Sequence, residues 1–169
     1  MQFDLEYTPL GGLKAAAIDD ISFSDCDPAE PSEVSISCDF ETDFCSWLQL
    51  ANADLAQWNR RQTGNWYEGT GPGYDHTTSD GFYVYFSSHG VQAGDLAVLQ
   101  TPPVKKTGTP YSCLKFWYHL YGEEMDSVQL VNLANDETLW QLSSSQGNLW
   151  KYAAVDIPSG NEDFMVEKI

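Results

Sequence analysis

The sequence predicts an all-β protein, an antiparallel jelly-roll β-sandwich. Three observations favour this fold class. No window of about ten or more residues keeps apolar side chains at helical spacing without a Gly, Pro or β-branched interruption. Short β-rich runs recur along the chain and are bounded by turn residues. The 169 residues suit one domain, and a content of 42% hydrophobic and 14% aromatic residues fits a folded core rather than a disordered chain.

These runs predict nine strands, in chain order at residues 16–23, 35–40, 82–86, 96–100, 112–121, 127–132, 138–142, 150–157 and 164–169. In the longest of them, alternate residues share a face because strand side chains alternate with a period of two. One face is formed by Leu114, Phe116, Tyr118 and Leu120, and the other by Lys115, Trp117 and His119. We expect one of these faces to lie in the core. The aromatic stretch between Cys45 and Phe82 is predicted to be a long loop, which in a compact domain packs on itself or carries function.

Acidic residues dominate the charge of the chain. Eight Lys and Arg side chains against 25 Asp and Glu give a formal net charge of −17. This charge repels phosphate backbones and anionic lipid headgroups, so we expect no binding of nucleic acid or of a membrane surface. The same carboxylates either keep the protein soluble or attract a divalent cation such as Ca²⁺. No apolar run approaches the roughly 20 residues that span a bilayer, and the first residues lack a secretory signal, so the chain is interpreted as cut from a longer protein.

The cysteines predict two disulfides. Cys26, Cys38, Cys45 and Cys113 make an even set without a C-x-x-C pair of the zinc or redox type, and free buried thiols are the alternative. A bridge between Cys38 and Cys45 would close a short loop and stabilise the fold by about 2–3 kcal/mol. It would leave Cys26 to pair with Cys113. Two disulfides imply an oxidising compartment, and therefore an extracellular protein or ectodomain.

No set of residues stands out for catalysis. A glycosidase needs two carboxylates about 5–10 Å apart, and among many acidic residues some pair will meet this condition by chance. Asp75-His76 suits acid–base chemistry, but no nucleophile signature such as G-x-S-x-G accompanies it. His76, His89 and His119 are too scattered in the sequence for an evident zinc site and are interpreted as structural residues. The sequence therefore predicts a protein that is not an enzyme.

A short internal repeat relates the two ends of the chain. Phe3-Asp4-Leu5-Glu6 and Phe164-Met165-Val166-Glu167 both follow the pattern F-x-(L/V)-E, and they lie nearly one chain length apart. This spacing indicates one period of a tandem array that is cut out of phase, with a chance match as the alternative.

A series of Cys, Trp and Gly motifs runs through the body of the chain. In order they are Cys38-Asp39-Phe40-Glu41, Cys45-Ser46-Trp47, Trp58, Gly71-Pro72, Asp75-His76-Thr77, Gly81-Phe82-Tyr83, the segment 113–122, Leu139-Trp140 and the segment 146–150. Together, in this order, they resemble the MAM domain, the extracellular adhesion module named after meprin, the A5 antigen (neuropilin) and receptor protein tyrosine phosphatase mu. The resemblance covers residues 37–169.

The resemblance implies a concanavalin-like two-sheet fold and a domain organisation. A MAM domain continues past its F-x-V-E strand into an Ile-Asp-Asp-Ile strand and a final cysteine, which pairs with the cysteine equivalent to Cys113. Here Ile18-Asp19-Asp20-Ile21 and Cys26 stand at the start of the chain instead. We therefore expect residues 1–26 to be the last strands of a preceding module, or the complementing strands of a permuted one. Residues 27–34 are predicted to be a linker, and residues 35–169 a MAM body without its own final strand.

The resemblance also implies a structural cation site, because several members of the family are thought to hold Ca²⁺ or Na⁺ with carboxylates and backbone carbonyls. The matching positions are Glu41, Asp43, Asp75 and Asp20, with Asp19 a weaker match. Carboxylates that converge without a cation repel one another, and a bound cation removes this repulsion. Solvated or hydrogen-bonded turn carboxylates are the alternative.

The aromatic residues divide into a core set and a contact set. Trp47, Trp58, Trp117, Trp140 and Trp150 are predicted to lie in the core, because large aromatics dominate sandwich interiors. Trp66 and Tyr67 lie in a Gly-rich polar loop and are candidate contact residues.

For function, the resemblance implies an extracellular, non-catalytic adhesion or recognition module within a larger multidomain protein. Its partner would be a protein, either another copy of itself or a neighbouring module. Two alternatives remain open. One is a calcium-supported carbohydrate-binding module, which shares the sandwich, the aromatics and the acidic ion site. The other is a structural repeat of an extracellular filament that assembles by strand donation.

Overall fold

The computed structural model describes residues 3–8, 14–25, 36–50, 55–62, 69–87, 89, 92, 95–102, 111–123 and 127–158. These residues form eleven strands and no helix. In this part of the chain, accordingly, no helix is long and apolar enough to cross a membrane. The predicted strand 164–169, the linker 27–34 and the residues Cys26, Trp66 and Tyr67 lie outside the described residues.

The strands form two sheets. The first sheet has the order β10 (Glu137–Ser143), β9 (Ser127–Asn132), β1 (Phe3–Thr8), β7 (Leu96–Gln100) and β3 (Leu48–Gln49), and β4 (Leu55–Ala56) also pairs with β7. The second sheet has the order β11 (Lys151–Pro158), β8 (Tyr111–Gly122), β2 (Lys14–Asp25), β6 (Tyr83–Ser87) and β5 (Asn59–Arg61). The pairs are antiparallel except β4 with β7. The predicted all-β, two-sheet sandwich is confirmed.

One core lies between the sheets. The first sheet contributes Leu5, Ala97, Leu99, Val128 and Leu130, and the second contributes Ile18, Val84, Phe86, Leu114, Phe116 and Val155. These residues alternate along their strands, as a period of two requires. The predicted core face of β8 is confirmed, because Leu114, Phe116, Tyr118 and Leu120 are all buried. Each large apolar side chain buried in this way stabilises the fold by about 1.5–3 kcal/mol.

The first two strands of the chain occupy interior positions of the sheets. β1 lies between β7 and β9, where Leu5 is opposite Leu99 on one side and Leu130 on the other. β2 lies between β6 and β8. Without β1 or β2, the neighbouring strands would present unpaired backbone groups. These two strands are therefore built into the sandwich, whereas the domain boundaries expected from the sequence stay a prediction.

Seven predicted strands are observed, as β2 and β6 to β11. The strand predicted at residues 35–40 is wrong in its described part, because residues 36–40 contain only an isolated bridge between Cys38 and Ile21. Phe40 adopts a positive φ of 57°, which ends the extended conformation and turns the chain into the disulfide loop. β1 and the short strands β3, β4 and β5 were not among the predicted strands.

The tryptophans lie in three environments. Trp47 and Trp58 are buried in the core as predicted, and their indole N–H groups donate to the carbonyl oxygens of Ile36 at 2.8 Å and Ala97 at 3.3 Å. Trp140 is half-buried and packs against the core. The prediction is wrong for Trp117 and Trp150, which are half-buried outside the core, where Trp117 stacks on His76 and Trp150 meets it edge-to-face. Trp117 alternates along β8 with residues whose side chains fill the core, so it points to the opposite face of the sheet.

Candidate functional site

The outer face of the second sheet is partly covered by two loops. The N–H of Gly71 donates to the carbonyl oxygen of Tyr121 at 3.3 Å, and the N–H of Gln146 donates to that of Leu120 at 2.8 Å. The Tyr83 hydroxyl, which projects from β6, donates to the Pro72 carbonyl oxygen at 3.2 Å. Under these loops lie buried residues that do not belong to the core between the sheets, namely Ala15, Ala17, Tyr83 and His119. The covering loops bring the predicted residues Asp75 and His76 to β2.

A β-bulge in β2 aims acidic side chains toward these loops. The register of β2 with β8 shifts between Asp19 and Ser22, and Asp20 has a positive φ of 49°. A bulge of this kind bends the strand and re-aims its side chains. Asp19 and Asp20 are thereby both placed beside His76, the first against its backbone N–H and the second against its ring.

Asp19 is a buried carboxyl group with a raised pKa. Its side chain is 1% exposed, and its oxygens accept hydrogen bonds from the N–H groups of Asp20 at 2.9 Å and His76 at 3.0 Å. Burial raises the pKa of Asp19 to about 8, and the negative charges of Asp20 and Asp75 act in the same direction, while the two hydrogen bonds oppose the shift. The group therefore carries a proton over much of the neutral pH range.

His76 connects the bulge to the outer aromatic residues. Its ring stacks on Trp117 with the centroids 3.6 Å apart and an interplanar angle of 15°. The Nδ1 atom lies 3.3 Å from Asp20 Oδ2 and 3.0 Å from Thr77 Oγ1, and the Thr77 hydroxyl also donates to Asp20. These contacts fix the imidazole ring between Asp20 of β2 and Trp117 of β8.

Asp75 organises the loop that follows it. The carboxylate is fully buried and accepts hydrogen bonds from the N–H groups of Thr77 at 3.0 Å, Thr78 at 2.8 Å and Gly81 at 2.8 Å, and from the Thr78 hydroxyl. Burial alone would raise the pKa of Asp75, but these hydrogen bonds outweigh it and lower the pKa below its usual value. Asp75 is therefore an ionised, internally satisfied carboxylate.

Glu41 reaches the same loop from the disulfide side. Its Oε1 atom accepts a hydrogen bond from the N–H of Phe82 at 3.1 Å, next to the N–H of Gly81 that binds Asp75. A Cβ atom at Gly81 would overlap the Glu41 carboxylate, so any other residue at this position would displace that side chain. The Arg60 guanidinium donates to the carbonyl oxygens of Phe40 and Glu41 and fixes the backbone that carries the glutamate.

The Cys38–Cys45 disulfide is confirmed, with Cα atoms 5.8 Å apart. Inside its loop, Asp43 Oδ1 accepts the Cys45 N–H at 2.7 Å, so this carboxylate caps a turn. Cys113 is also disulfide-bonded. It is opposite Ser24 in the register of β2 with β8, close to the end of β2 at Asp25. Because Cys26 lies outside the described residues, its pairing with Cys113 stays a prediction that this register supports.

The predicted acidic residues divide into two groups. Asp19 and Asp20 contact His76, and Asp75 precedes it in the chain. Glu41 and Asp43 belong to the disulfide loop, and Glu41 and Asp75 bind the neighbouring N–H groups of Phe82 and Gly81. Within the described ranges, no three Asp, Glu, His or Cys side chains are grouped as a complete metal site. The negative charge of the first group suits a cation, since neighbouring carboxylates contribute to the raised pKa of Asp19. Its oxygens, however, already accept hydrogen bonds from backbone N–H groups.

An aromatic row beside this acidic group was not predicted as a site. Ring contacts run from Tyr152 to Trp117 at 5.3 Å between centroids, then to His76, and on to Trp150 at 6.3 Å. The alternation along β8 could have placed Trp117 on this outer face. The contacts with His76 could not be inferred, because they depend on how the covering loop packs.

The fold and the site define a disulfide-stabilised antiparallel β-sandwich module with an aromatic and acidic outer face. A sequence profile of the MAM domain, meprin/A5/mu, matches residues 38–167, and the chain belongs to this family. The fold is accordingly of the concanavalin-like type.

Known relatives share this domain. The chain is 30% identical to neuropilin-1a of Danio rerio over 80% of its own length and 16% of that protein. It is 32% identical to MAM domain-containing glycosylphosphatidylinositol anchor protein 1 of Gallus gallus, over 82% of the chain and 16% of that protein. It is also 32% identical to MAM domain-containing protein 2 of Homo sapiens, over 83% of the chain and 21% of that protein. The chain thus spans only a small part of these relatives. No solved structure matches it significantly.

Proposed function

We propose that this chain is a non-catalytic recognition module of an extracellular protein and acts by protein–protein contact in adhesion. The observation that carries the proposal is the family match over residues 38–167. The relatives are much longer proteins, which suits a module that works beside other domains. Disulfide bonding suits an oxidising, extracellular location.

Two exposed apolar side chains mark a candidate contact surface. Tyr74 is 54% exposed and Leu149 is 52% exposed, and they lie in the two loops that cover the outer face of the second sheet. The loops are joined because the Trp150 indole N–H donates to the Tyr74 carbonyl oxygen at 2.9 Å. Aromatic and apolar side chains on such fixed loops are typical anchors of protein interfaces.

Bead clustering tests this contact surface. Beads coated with the chain are expected to cluster with one another, and the double variant Tyr74→Ser/Leu149→Ser is expected to reduce clustering by about tenfold or more, because two apolar anchors are lost. The double variant should keep the thermal midpoint of the parent, since both side chains are exposed. Beads that stay dispersed, alone and when mixed with beads that carry the adjoining modules of the parent protein, would contradict the proposal. Equal clustering by parent and variant would exclude this surface.

Assembly by strand donation is a second candidate, and the position of β1 favours it. β1 begins with Phe3-Asp4-Leu5-Glu6 and fills an interior position of the first sheet, and the same pattern recurs at residues 164–167. The strand position between β7 and β9 is therefore filled by a sequence pattern that occurs twice in the chain. If residues 1–26, which carry β1, β2 and Cys26, are exchanged between copies, Cys113 is predicted to pair with Cys26 of another copy. Disulfide-linked dimers on a non-reducing gel are then expected, and a monomeric band alone would exclude the exchange.

The predicted cation remains a proposal, with Asp20, Asp75, Glu41 and Asp43 as its proposed ligands and Asp19 as a weaker one. A cation that binds only the folded state raises the free energy of unfolding by mass action, by about 2.7 kcal/mol at one hundred times its Kd. We therefore expect a higher thermal midpoint in calcium, or in sodium compared with choline, than in chelator. Asp20→Asn should lose the shift, and Asp156→Asn, an exposed acid on β11, should retain it. Equal midpoints under all conditions would favour carboxylates that are satisfied by hydrogen bonds alone.

A further inference from the structure

An open groove of about 490 Å³ lies on the outer face of the second sheet, where β2, β8 and β11 meet the disulfide loop. Trp117 of β8 and Tyr152 of β11 lie opposite each other in register and line it. Cys38 and Cys45 contribute the disulfide to its lining. Its volume falls within the range of about 300–1,000 Å³ that is typical of small-molecule sites.

The two rings form a rigid aromatic surface. Their centroids are 5.3 Å apart with an interplanar angle of 56°. Trp117 is held in place by the His76 ring stacked upon it, and Tyr152 is 51% exposed. The face of an aromatic ring carries partial negative charge and attracts the weakly positive hydrogens of aliphatic C–H groups. A flat ligand face rich in C–H groups therefore suits this surface.

The polar part of the lining offers both donors and acceptors. Asp20 and Asp39 contribute carboxylates, each of which already accepts an intramolecular hydrogen bond, from the Thr77 hydroxyl and from the Glu41 N–H at 3.1 Å respectively. Lys115 contributes an ammonium group, which is a donor. Ser22 and Ser37 add hydroxyl groups, which can both donate and accept; the Ser37 oxygen also accepts the Phe23 N–H at 3.2 Å. This mixture suits a ligand with many hydroxyl groups, because each hydroxyl needs a partner when water is displaced.

The groove is also preorganised. Two of its lining residues, Asp20 and Cys45, have positive φ angles of 49° and 52° although neither is glycine. Backbone strain of this kind persists only where the surrounding structure enforces it, and it clusters at ligand sites. Here the β-bulge enforces it at Asp20 and the disulfide loop at Cys45.

Charge restricts the class of ligand. The net charge of −17 repels sulfated and sialylated glycans. A basic peptide is also a poor match. Lys115 lines the groove, Asp20 already accepts a hydrogen bond from Thr77 and interacts with His76, and Asp39 accepts one from the Glu41 N–H. An uncharged ligand avoids both conflicts.

We propose that the groove bounded by Trp117, Tyr152 and the Cys38–Cys45 disulfide binds an uncharged oligosaccharide. The C–H face of a sugar ring packs against the two aromatic rings, and its hydroxyl groups hydrogen-bond with Asp39, Lys115 and Ser37. This inference goes beyond the proposed protein contact and does not depend on it, because the Tyr74 and Leu149 side chains do not line the groove.

A glycan array with neutral, sialylated and sulfated glycans provides the test, followed by calorimetric titration of the strongest neutral glycan. Binding to neutral glycans is expected, with a Kd that changes less than about twofold between about 0.05 M and about 0.5 M NaCl. Tyr152→Ala should weaken binding by about tenfold or more, and Tyr152→Phe should retain most of it. Tyr74→Ala is the matched control, since this tyrosine is equally exposed and outside the groove.

Three results would overturn the inference. The first is an array without signal from neutral glycans. The second is equal weakening in Tyr152→Ala and Tyr74→Ala. The third is binding of an arginine-rich peptide that Tyr152→Ala abolishes and high salt removes, which would assign the groove to a basic protein partner. The clustering of beads through Tyr74 and Leu149 is measured separately, so either proposal can fail alone.

Discussion

Asp75→Ala is expected to lower the free energy of unfolding by about 3 kcal/mol, because each buried polar group left without a partner costs about 1–3 kcal/mol. The carboxylate satisfies the N–H groups of Thr77, Thr78 and Gly81, and alanine offers none of them an acceptor. The loop would also shift relative to Glu41, whose carboxylate accepts the N–H of Phe82, the next one along the chain. Asp75→Asn is expected to be intermediate, because the amide keeps one acceptor oxygen, whereas its N–H₂ group faces backbone N–H donors and cannot accept from them.

Urea denaturation followed by tryptophan fluorescence measures this loss. The matched control is Asp80→Ala, a substitution of an exposed acid in the same loop that should change stability by less than about 0.5 kcal/mol. Hydrogen exchange at the Gly81 amide should accelerate in Asp75→Ala and not in the control. A cost below about 1 kcal/mol for Asp75→Ala would show that water replaces the carboxylate without strain.

Strands with a clear alternating pattern could be located from the sequence. β8 shows this best, since Leu114 and Phe116 fill the core, as their alternation predicts. β1 carries the same signal, with Phe3, Leu5 and Tyr7 alternating with polar residues, yet it was not among the predicted strands. β3, β4 and β5 have two or three residues each, which is too short for any pattern. Their pairing depends on the neighbouring strands.

The candidate site could be predicted only in part. Asp19, Asp20 and Asp75 were expected to contribute to one site. The segments that carry them do meet, because the N–H of His76, the residue after Asp75, donates to Asp19 across a sequence separation of 57 residues. The partners of the carboxylates could not be predicted, because Asp75 and Asp19 bind backbone N–H groups whose positions depend on the loop and the bulge. The outer position of Trp117 follows from alternation on β8, but its stacking with His76 depends on tertiary packing.

Two buried groups are expected to give the stability opposite dependences on pH. The pKa of Asp19 is raised to about 8, so its stabilising contribution is complete below about pH 4 and is lost as the pH rises through 8. Burial lowers the pKa of His119 to about 4, although the hydrogen bond with Asn148 opposes this shift. The contribution of His119 is therefore complete above about pH 6.5 and is lost as the pH falls toward 4. Between about pH 4 and 6.5 the two contributions oppose each other, and above that range only Asp19 remains.

Asp19→Asn should remove this last contribution. Between pH 6.5 and 8, Asp19 is ionised in the unfolded chain but still largely protonated in the folded protein. The free energy of unfolding of the parent protein is therefore expected to fall by about 1–2 kcal/mol over this range, and the variant should lack this decline. Urea titrations of both proteins in chelator measure the difference at each pH, so other titrating groups cancel. His119→Gln is the complementary variant, since its difference from the parent should appear only below about pH 6.5. A difference between parent and Asp19→Asn that is constant from pH 6.5 to 8 would mean that Asp19 is already ionised at neutral pH, stabilised by the N–H groups of Asp20 and His76.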